Sequence, residues 1–383
     1  MVSLDGARFD YPERTALPGL ERIRREGASA GSLRPVTPSS TFPSHVSLAT
    51  GTYPDRHGIV ANRFRDPQRG EFDYSDESDW LRAEPLWIAA ERQGLRAAVL
   101  FWVGSGSEWR GRAASYRRTP FDPRVSEREK VDQILDWLRL PAQRRPRLVM
   151  SWWHGPDRVG HRKGPDSPAV DEQMARQDAE LVRLLEGLDA LDRWDCTTLI
   201  VLGDHGMARV GRSIDLRLEL RRQGLRAKVW NSGGTAYVEL SERETLSRAL
   251  ESLRALEGVE AYPSAALPER YRLAGTGRTG DLVAFTTPPF RFGRSLGLPP
   301  RGAHGYPAEV ESMGSIFFAL GRGVGAGARL GRVRAIDVAP SVAALLGIEP
   351  PLASEGRSLL PELAPRECSP TRCSCPEPAA PRS

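Results

Sequence analysis

A chain of 383 residues, 40% hydrophobic and 27% charged, carries enough apolar material to bury a sizeable core and has the composition of an ordinary globular protein rather than a disordered one. Its net charge of +5 comes almost wholly from arginine, the lysines being Lys130, Lys163 and Lys228. These charges are scattered and lack the clustered basic and aromatic residues of a nucleic-acid-binding surface, so no stable nucleic-acid complex is expected. No stretch approaches the ~20 apolar residues of a membrane span.

The chain opens on "VSL" at 2–4, a short apolar run that reads as a strand. Central strands usually have ~5 to 6 residues, so either this one is short or the true start lies upstream. Met1 runs into it without a signal peptide. As written the chain is expected in the cytoplasm, and in the periplasm or outside the cell if the start lies upstream. A helix is expected from about Thr41, with Pro43 in its first turn and Gly51 at its end.

Further apolar runs follow at 96–101, 147–153, 197–203 and 315–321. Continuous apolarity suits strands buried on both faces of a mostly parallel sheet. Between them, "SEREKVDQILDWL" has a capping box in Ser126 and Glu129 and an apolar stripe of Val131, Ile134, Leu135 and Leu138. A second helix covers 168–190, with Met174, Leu181, Leu185 and Leu188 buried, and a third runs from near Asp337 to Gly347. Residues from about 213 to 300 break this rhythm and read as a small α+β insert with a helix at 241–256. The expected class is α/β: a mostly parallel sheet flanked by helices, in one catalytic domain over 1–363.

Cys196 reads as a core residue in an apolar strand. Cys368, Cys373 and Cys375 sit in a Pro-rich tail over 364–383 that reads as disordered and lacks a fourth zinc ligand.

Chemistry collects at the expected strand ends. Thr41 stands at a helix N-terminus, where free N–H groups and the helix dipole favour an anion, phosphate especially. A lone Thr-x-Pro is ordinarily just an N-cap. Here, however, Asp5 follows "VSL", Asp157 and His161 follow 147–153, Asp204 and His205 follow 197–203, and His304 stands in "RGAHGYP". Carboxyl ends of parallel strands are where open α/β sheets take ligands. Three aspartates and three histidines there give N/O ligation suited to zinc, with a pair of metals the natural count.

The strings "SLDG", "TFPSH", "TGTYPDRHGIVANRF", "FWVGS", "PDRVGHRKGPDS", "LGDHGM", "NSGGTAYV" and "HGYPAEVESM" resemble, in order and over residues 2–350, the nucleotide pyrophosphatase/phosphodiesterase family of the alkaline phosphatase superfamily. The resemblance implies an alkaline-phosphatase-like fold and two Zn²⁺ per chain, another divalent transition metal being an option. Asp157, His161 and His304 would hold the first; Asp5, Asp204 and His205 would hold the second, which also touches Thr41. Thr41 would be the nucleophile of a two-step reaction through phosphothreonine. Asn62 would contact a phosphate oxygen, and Phe42 would pack against the substrate. His45, His57 and His154 fall outside this ligand set and read as structural or supporting residues.

Two positions depart from the family pattern: Ser44 where Asn is common, and Trp152 where Tyr is usual. Trp152 is expected as a substrate wall, and Tyr116 and Phe121 lie where another substrate aromatic is expected. The implied substrate is a small phosphodiester or nucleotide, the implied state a monomer. A sulfatase would need Cys or Ser followed by Arg in C/S-x-P-x-R, positions held here by Thr41 and His45. A phosphomonoesterase or phosphonate hydrolase shares the same metal cage and stands as the alternative. A binding protein on this fold would show eroded ligands, whereas all seven positions match.

Overall fold

The computed structural model describes residues 1–294 and 300–364, so the C-terminal tail with Cys368, Cys373 and Cys375 lies outside the described residues. Its strands are β1 (Val2–Leu4), β2 (Ala28–Arg34), β3 (Ala97–Leu100), β4 (Tyr116–Arg118), β5 (Leu148–Trp153), β6 (Thr198–Leu202), β7 (Ala227–Ser232), β8 (Thr235–Leu240), β9 (Val259–Pro263), β10 (Leu282–Thr286), β11 (Phe317–Gly321) and β12 (Ala328–Arg334), besides several shorter pairs. Eight of them form one sheet in the order β12-β2-β11-β6-β1-β5-β3-β4. All run parallel except β11, which is antiparallel to both β2 and β6.

The five apolar runs read as strands are the central neighbours β11, β6, β1, β5 and β3. Short β1 sits in the middle, where buried pairing on both sides compensates for its length. The remaining members, β2, β4 and β12, carry Gly, Ser and Arg and offer no continuous apolar signal. On one face, the helix Glu127–Arg139 opens with both bonds of the Ser126–Glu129 capping box in place. Its Val131, Ile134 and Leu135 pack in one cluster with Met174, Leu181, Leu185 and Leu188 of the helix Pro168–Ala190. On the other face, the helix Thr41–Thr50 is buried along its whole length and stops at Gly51, whose φ of 68° suits a residue without Cβ. Cys196 departs from expectation: it is exposed in the 3₁₀ turn Trp194–Cys196, one turn before β6, because the core-facing run starts only at Leu199.

A second, antiparallel sheet has the order β7-β8-β10-β9. Ala236, Val238 and Leu240 face Ala249 and Leu253 of the helix Leu246–Arg254, while Tyr237, Val283 and Phe285 join the main core. The helix is shorter than 241–256 because a 3₁₀ turn, Arg243–Thr245, precedes it. Buried Arg278 ties this sheet to the chain around Asn62: it donates to Asp66 Oδ2 at 2.7 Å, Gly58 O at 2.6 Å and Trp80 O at 3.1 Å. Tyr237 Oη donates to Val60 O at 2.6 Å. The small sheet thereby braces one wall of the site described next.

Candidate active site

Thr41 is the first residue of its helix, with Ser40 as an extended N-cap whose hydroxyl turns away to Ser232 Oγ at 2.7 Å. Phe42 N–H donates to Asn62 Oδ1 at 2.9 Å, Pro43 has no N–H, and Ser44 N–H closes the first turn on Ser40 O at 3.0 Å. The Thr41 amide is therefore the one donor of this turn left for a ligand. Because Asn62 Oδ1 accepts from Phe42, its NH₂ group is left to donate, beside the threonine.

Around Thr41 the carboxyl ends of β1, β5 and β6 and the loop before β11 deliver the acidic and imidazole groups. Thr41 Oγ1 lies 3.3 Å from His205 Nε2, which is 3.2 Å from Asp204 Oδ2 and 3.5 Å from Asp5 Oδ1. Asp157 Oδ1 lies 3.4 Å from His161 Nε2 and 3.6 Å from His304 Nε2. The rings of His205 and His304 stack at 3.9 Å, which brings the two groups together. Two sets of donor atoms each fall within 4.8 Å: Asp5, Asp204 and His205; and Asp157, His205 and His304. His161 adjoins the second set through Asp157.

Each of these histidines gives its Nδ1–H to a main-chain carbonyl: His161 to Gly302 at 2.8 Å, His205 to Gly206 at 2.8 Å, His304 to Ser39 at 3.1 Å. That fixes the tautomer with a bare Nε2 facing inward, as metal-ligating imidazoles require. Asp204 Oδ1 accepts from Gly6 N–H at 3.0 Å and His205 N–H at 2.9 Å, and Asp5 Oδ2 accepts from Trp152 Nε1–H at 3.0 Å. Asp5 Oδ1, Asp157 Oδ1 and Asp204 Oδ2 are buried without a hydrogen-bond partner. Buried carboxylate oxygens without partners are costly unless a cation meets them. Burial, then the neighbouring Asp204 and Asp157, pushes the Asp5 carboxyl well above its usual range. Burial acts the same way on Asp157, but His161, His304 and His205 outweigh it and hold that carboxyl low. The donor set, its tautomers and its orphan oxygens fit divalent transition metals.

Other expected residues divide. Phe42, next in sequence to Thr41, sits edge-on to Phe72 and Tyr74 at 5.8 and 5.3 Å. Trp152 is a partner of Asp5 through its indole N–H, with Phe121 tilted against it at 4.4 Å. Tyr116 is elsewhere: it opens edge strand β4 level with Ala98, and its hydroxyl donates to Arg144 O in the loop before β5, at the end of the sheet away from the aspartates. Its place at the start of a strand paired in parallel with β3 decides this, which no motif reported. Phe121 lies on the site side instead, against both Trp152 and His154. Tyr74, half exposed with φ at 49° and its N–H donating to Asn62 O at 3.0 Å, carries no motif signal in the sequence. Ser44 Oγ, where the family pattern has an amide, is buried without a partner. Arg63, the residue after Asn62, is paired with Asp73 at 2.7 Å, and Arg158, the residue after Asp157, is exposed.

His45 and His57 are fully buried. His45 Nδ1–H donates to Thr41 O at 2.8 Å and lies 3.4 Å from Asp204 Oδ2, while His57 bonds Ser47 Oγ at 2.9 Å and accepts from Ile59 N–H at 3.1 Å. His154 binds Glu127 Oε1 at 2.9 Å.

A hydroxyl at a helix start, facing an N/O donor cage at the carboxyl edge of a mostly parallel sheet, defines the class of metal-dependent enzymes with alkaline-phosphatase-like folds. The sequence profile of the type I phosphodiesterase / nucleotide pyrophosphatase family matches residues 1–307. The chain is 32% identical over 343 residues to an uncharacterized pyrophosphatase/phosphodiesterase of Schizosaccharomyces pombe, covering 84% of this chain and 70% of that protein. It is 28% identical over 373 residues to human ectonucleotide pyrophosphatase/phosphodiesterase family member 1, covering 91% of this chain and 40% of the longer human protein. Murine ectonucleotide pyrophosphatase/phosphodiesterase 5, solved as an inactive threonine-to-alanine variant in complex with AMP, superposes with a TM-score of 0.88 at 25% identity, over 95% of this chain and 98% of that chain. The chain belongs to the type I phosphodiesterase / nucleotide pyrophosphatase family.

Proposed function

We propose that this chain hydrolyses phosphodiester or pyrophosphate bonds of nucleotide-type substrates, with Thr41 as nucleophile and two zinc ions as cofactors. The observation that carries the reading is Thr41 Oγ1 at 3.3 Å from His205 Nε2, on the rim of a cage with three orphan carboxylate oxygens. Asp157, His161 and His304 would hold one cation, and Asp5, Asp204 and His205 the other, beside Thr41. When bound, such cations make a hydroxyl acidic at neutral pH and offset charge on phosphoryl oxygens.

Thr41 gives up its hydroxyl proton to solvent and bonds to phosphorus through Oγ1 as the bond to the leaving alcohol or phosphate breaks, a leaving alkoxide taking up a proton from solvent, and phosphothreonine forms. The Thr41 N–H and the Asn62 NH₂ donate to the equatorial oxygens, where charge grows. Water then displaces Thr41 from phosphorus, and the hydroxyl regains a proton. His45, bonded to Thr41 O and adjoining Asp204, holds the nucleophile's main chain against the cage. Phe42 offers an apolar wall to the second ester group, a contact useful only to a diester. The inactivity of the similar murine protein's threonine-to-alanine variant, and its AMP, support the nucleophile and the substrate class.

Two measurements test the reading. Thr41→Ala should lower kcat by at least ~10³-fold while zinc content and fold persist, and Thr41→Ser should keep measurable turnover. A near wild-type rate in the alanine variant would remove the nucleophile. For the p-nitrophenyl ester of thymidine monophosphate against p-nitrophenyl phosphate, the expected kcat/KM ratio is at least ~10²-fold, a transition-state difference of about 2.7 kcal/mol. Parity or a monoester preference moves the chain to the phosphomonoesterase reading.

A further inference from the structure

β2 and β12 run parallel and end in register on Arg34 and Arg334, so two guanidinium groups leave the carboxyl edge of the sheet as neighbours. Like charges in opposed positions repel. Each is held by one carboxylate: Arg34 uses Nη2 on Glu309 at 2.5 Å, and Arg334 uses Nε and Nη2 on Asp337 at 2.9 and 2.6 Å. Both line a cavity of about 400 Å³ at the ends of β2 and β12, to which Arg270, Arg272 and Tyr53 also contribute. Arg272 lies over the Tyr53 ring at 4.3 Å, its Nε donating to Asp55 at 2.7 Å and its Nη2 to Glu355 at 2.6 Å.

A guanidinium has more N–H groups than one carboxylate can accept. None of these bonds uses Nε or Nη1 of Arg34, or Nη1 of Arg334 and Arg272. The fourth arginine of the lining, Arg270, reaches Glu260 Oε2 at 3.4 Å, so the cavity offers unused N–H groups on arginines already paired with carboxylates. The cavity is of ligand size, and it stands at the strand ends where open α/β sheets take ligands. We propose that it is a second anion site, separate from the metal cage, for a small phosphate-bearing molecule. Planar guanidinium forks match phosphate oxygens two at a time, and an anion between Arg34 and Arg334 relieves their repulsion.

The site shares its floor with the catalytic segments. Thr37 and Ala308 line it, and Ala308 N–H donates to Thr37 Oγ1 at 2.9 Å. A little further along, Ser39 N–H donates to Tyr306 O at 3.1 Å, and His304 Nδ1–H to Ser39 O at 3.1 Å. A ligand there rests on the mounting of Thr41 and His304 without touching either.

The test is calorimetric titration of the zinc-loaded full chain, with inorganic phosphate and with AMP in separate runs. Wild type should show two classes of site for at least one probe. In Arg34→Gln/Arg334→Gln one class should persist and the other weaken at least ~10-fold. Glu309→Gln, which releases Arg34, should tighten that same class, and this arm decides if the double variant does not fold. A single class in wild type, an unchanged isotherm in the double variant, or weaker binding in Glu309→Gln would each overturn the proposal.

Discussion

At the scale of single residues, the site rests on side chains whose second atoms are as constrained as their first. Asp5 presents Oδ1 to the cage because Trp152 Nε1–H engages Oδ2 at 3.0 Å. Phenylalanine at 152 keeps an aromatic ring against Phe121 but deletes that donor. Losing such a supporting hydrogen bond typically costs ~10- to 100-fold in metal affinity or activity. Zinc affinity of Trp152→Phe, read by competition with a coloured chelator, should fall in that range with KM for a diester little changed. Unchanged zinc affinity with a raised KM alone would return Trp152 to the role of substrate wall. The sequence could announce Thr41, the aspartates and the histidines because each lies in a short string whose order along the chain is distinctive. It could not announce which way an indole or phenol points. Tyr116 reads as a neighbour of the substrate in one dimension, yet strand pairing sends it to the other end of the sheet. Tyr74 gains its place through a main-chain bond to Asn62, a ring contact with Phe42 and a hairpin without a motif.

At the scale of elements, the apolar runs and capping signals that lie along the chain were legible, whereas β2 and β12 were not. Their pairing is held by neighbours from distant sequence, so local pattern carries little of it. The helix Glu127–Arg139 shows how an element reaches the site from the outside. Its Glu127 Oε1 accepts from His154 N–H at 3.1 Å, holding the loop from β5 toward Asp157, while fully buried Lys130 lies 3.2 Å from His154 Nδ1 and 3.6 Å from Glu127. Burial pushes the Lys130 ammonium down to about 8 from 10.5, against the pull of Glu127. Burial alone would raise Glu127, but His154 and Lys130 hold it down to about 2. The signs follow from linkage. For Lys130 the unfolded chain binds more protons between about pH 8 and 10.5, so stability rises with pH across that window. For Glu127 the stabilisation is present above 4.5 and is lost as pH falls toward 2. Lys130→Met removes the first dependence. The Tm of wild type relative to this variant should therefore climb from pH 8 to pH 10, and a flat difference would mean that Lys130 is not the buried charge described.

At the scale of the whole molecule, the proposed cations would act as crosslinks. Their donors come from four places far apart in sequence: Asp5 after β1, Asp157 and His161 after β5, Asp204 and His205 after β6, and His304 in the loop before β11. The small sheet closes the same assembly, since Thr235 Oγ1 donates to Gly305 O at 2.8 Å, next to His304. A cation bound to such a set stabilises the folded chain because the unfolded chain cannot gather the donors. At a free concentration ~100 times Kd, each site adds about 2.7 kcal/mol. Two sites should raise Tm by several degrees, since ~1 kcal/mol moves a chain of this size by roughly 1–2 °C. Chelation should lower Tm by that amount together with activity, and zinc should restore both. Asp204→Asn weakens one side of the cage while keeping its oxygen for Gly6 and His205 N–H, so its response to chelation should be smaller than that of wild type. Metal analysis of the purified, tag-free chain should give two zinc ions. Unchanged Tm and activity after complete chelation would show that the orphan oxygens of Asp5, Asp157 and Asp204 are met by something other than metal.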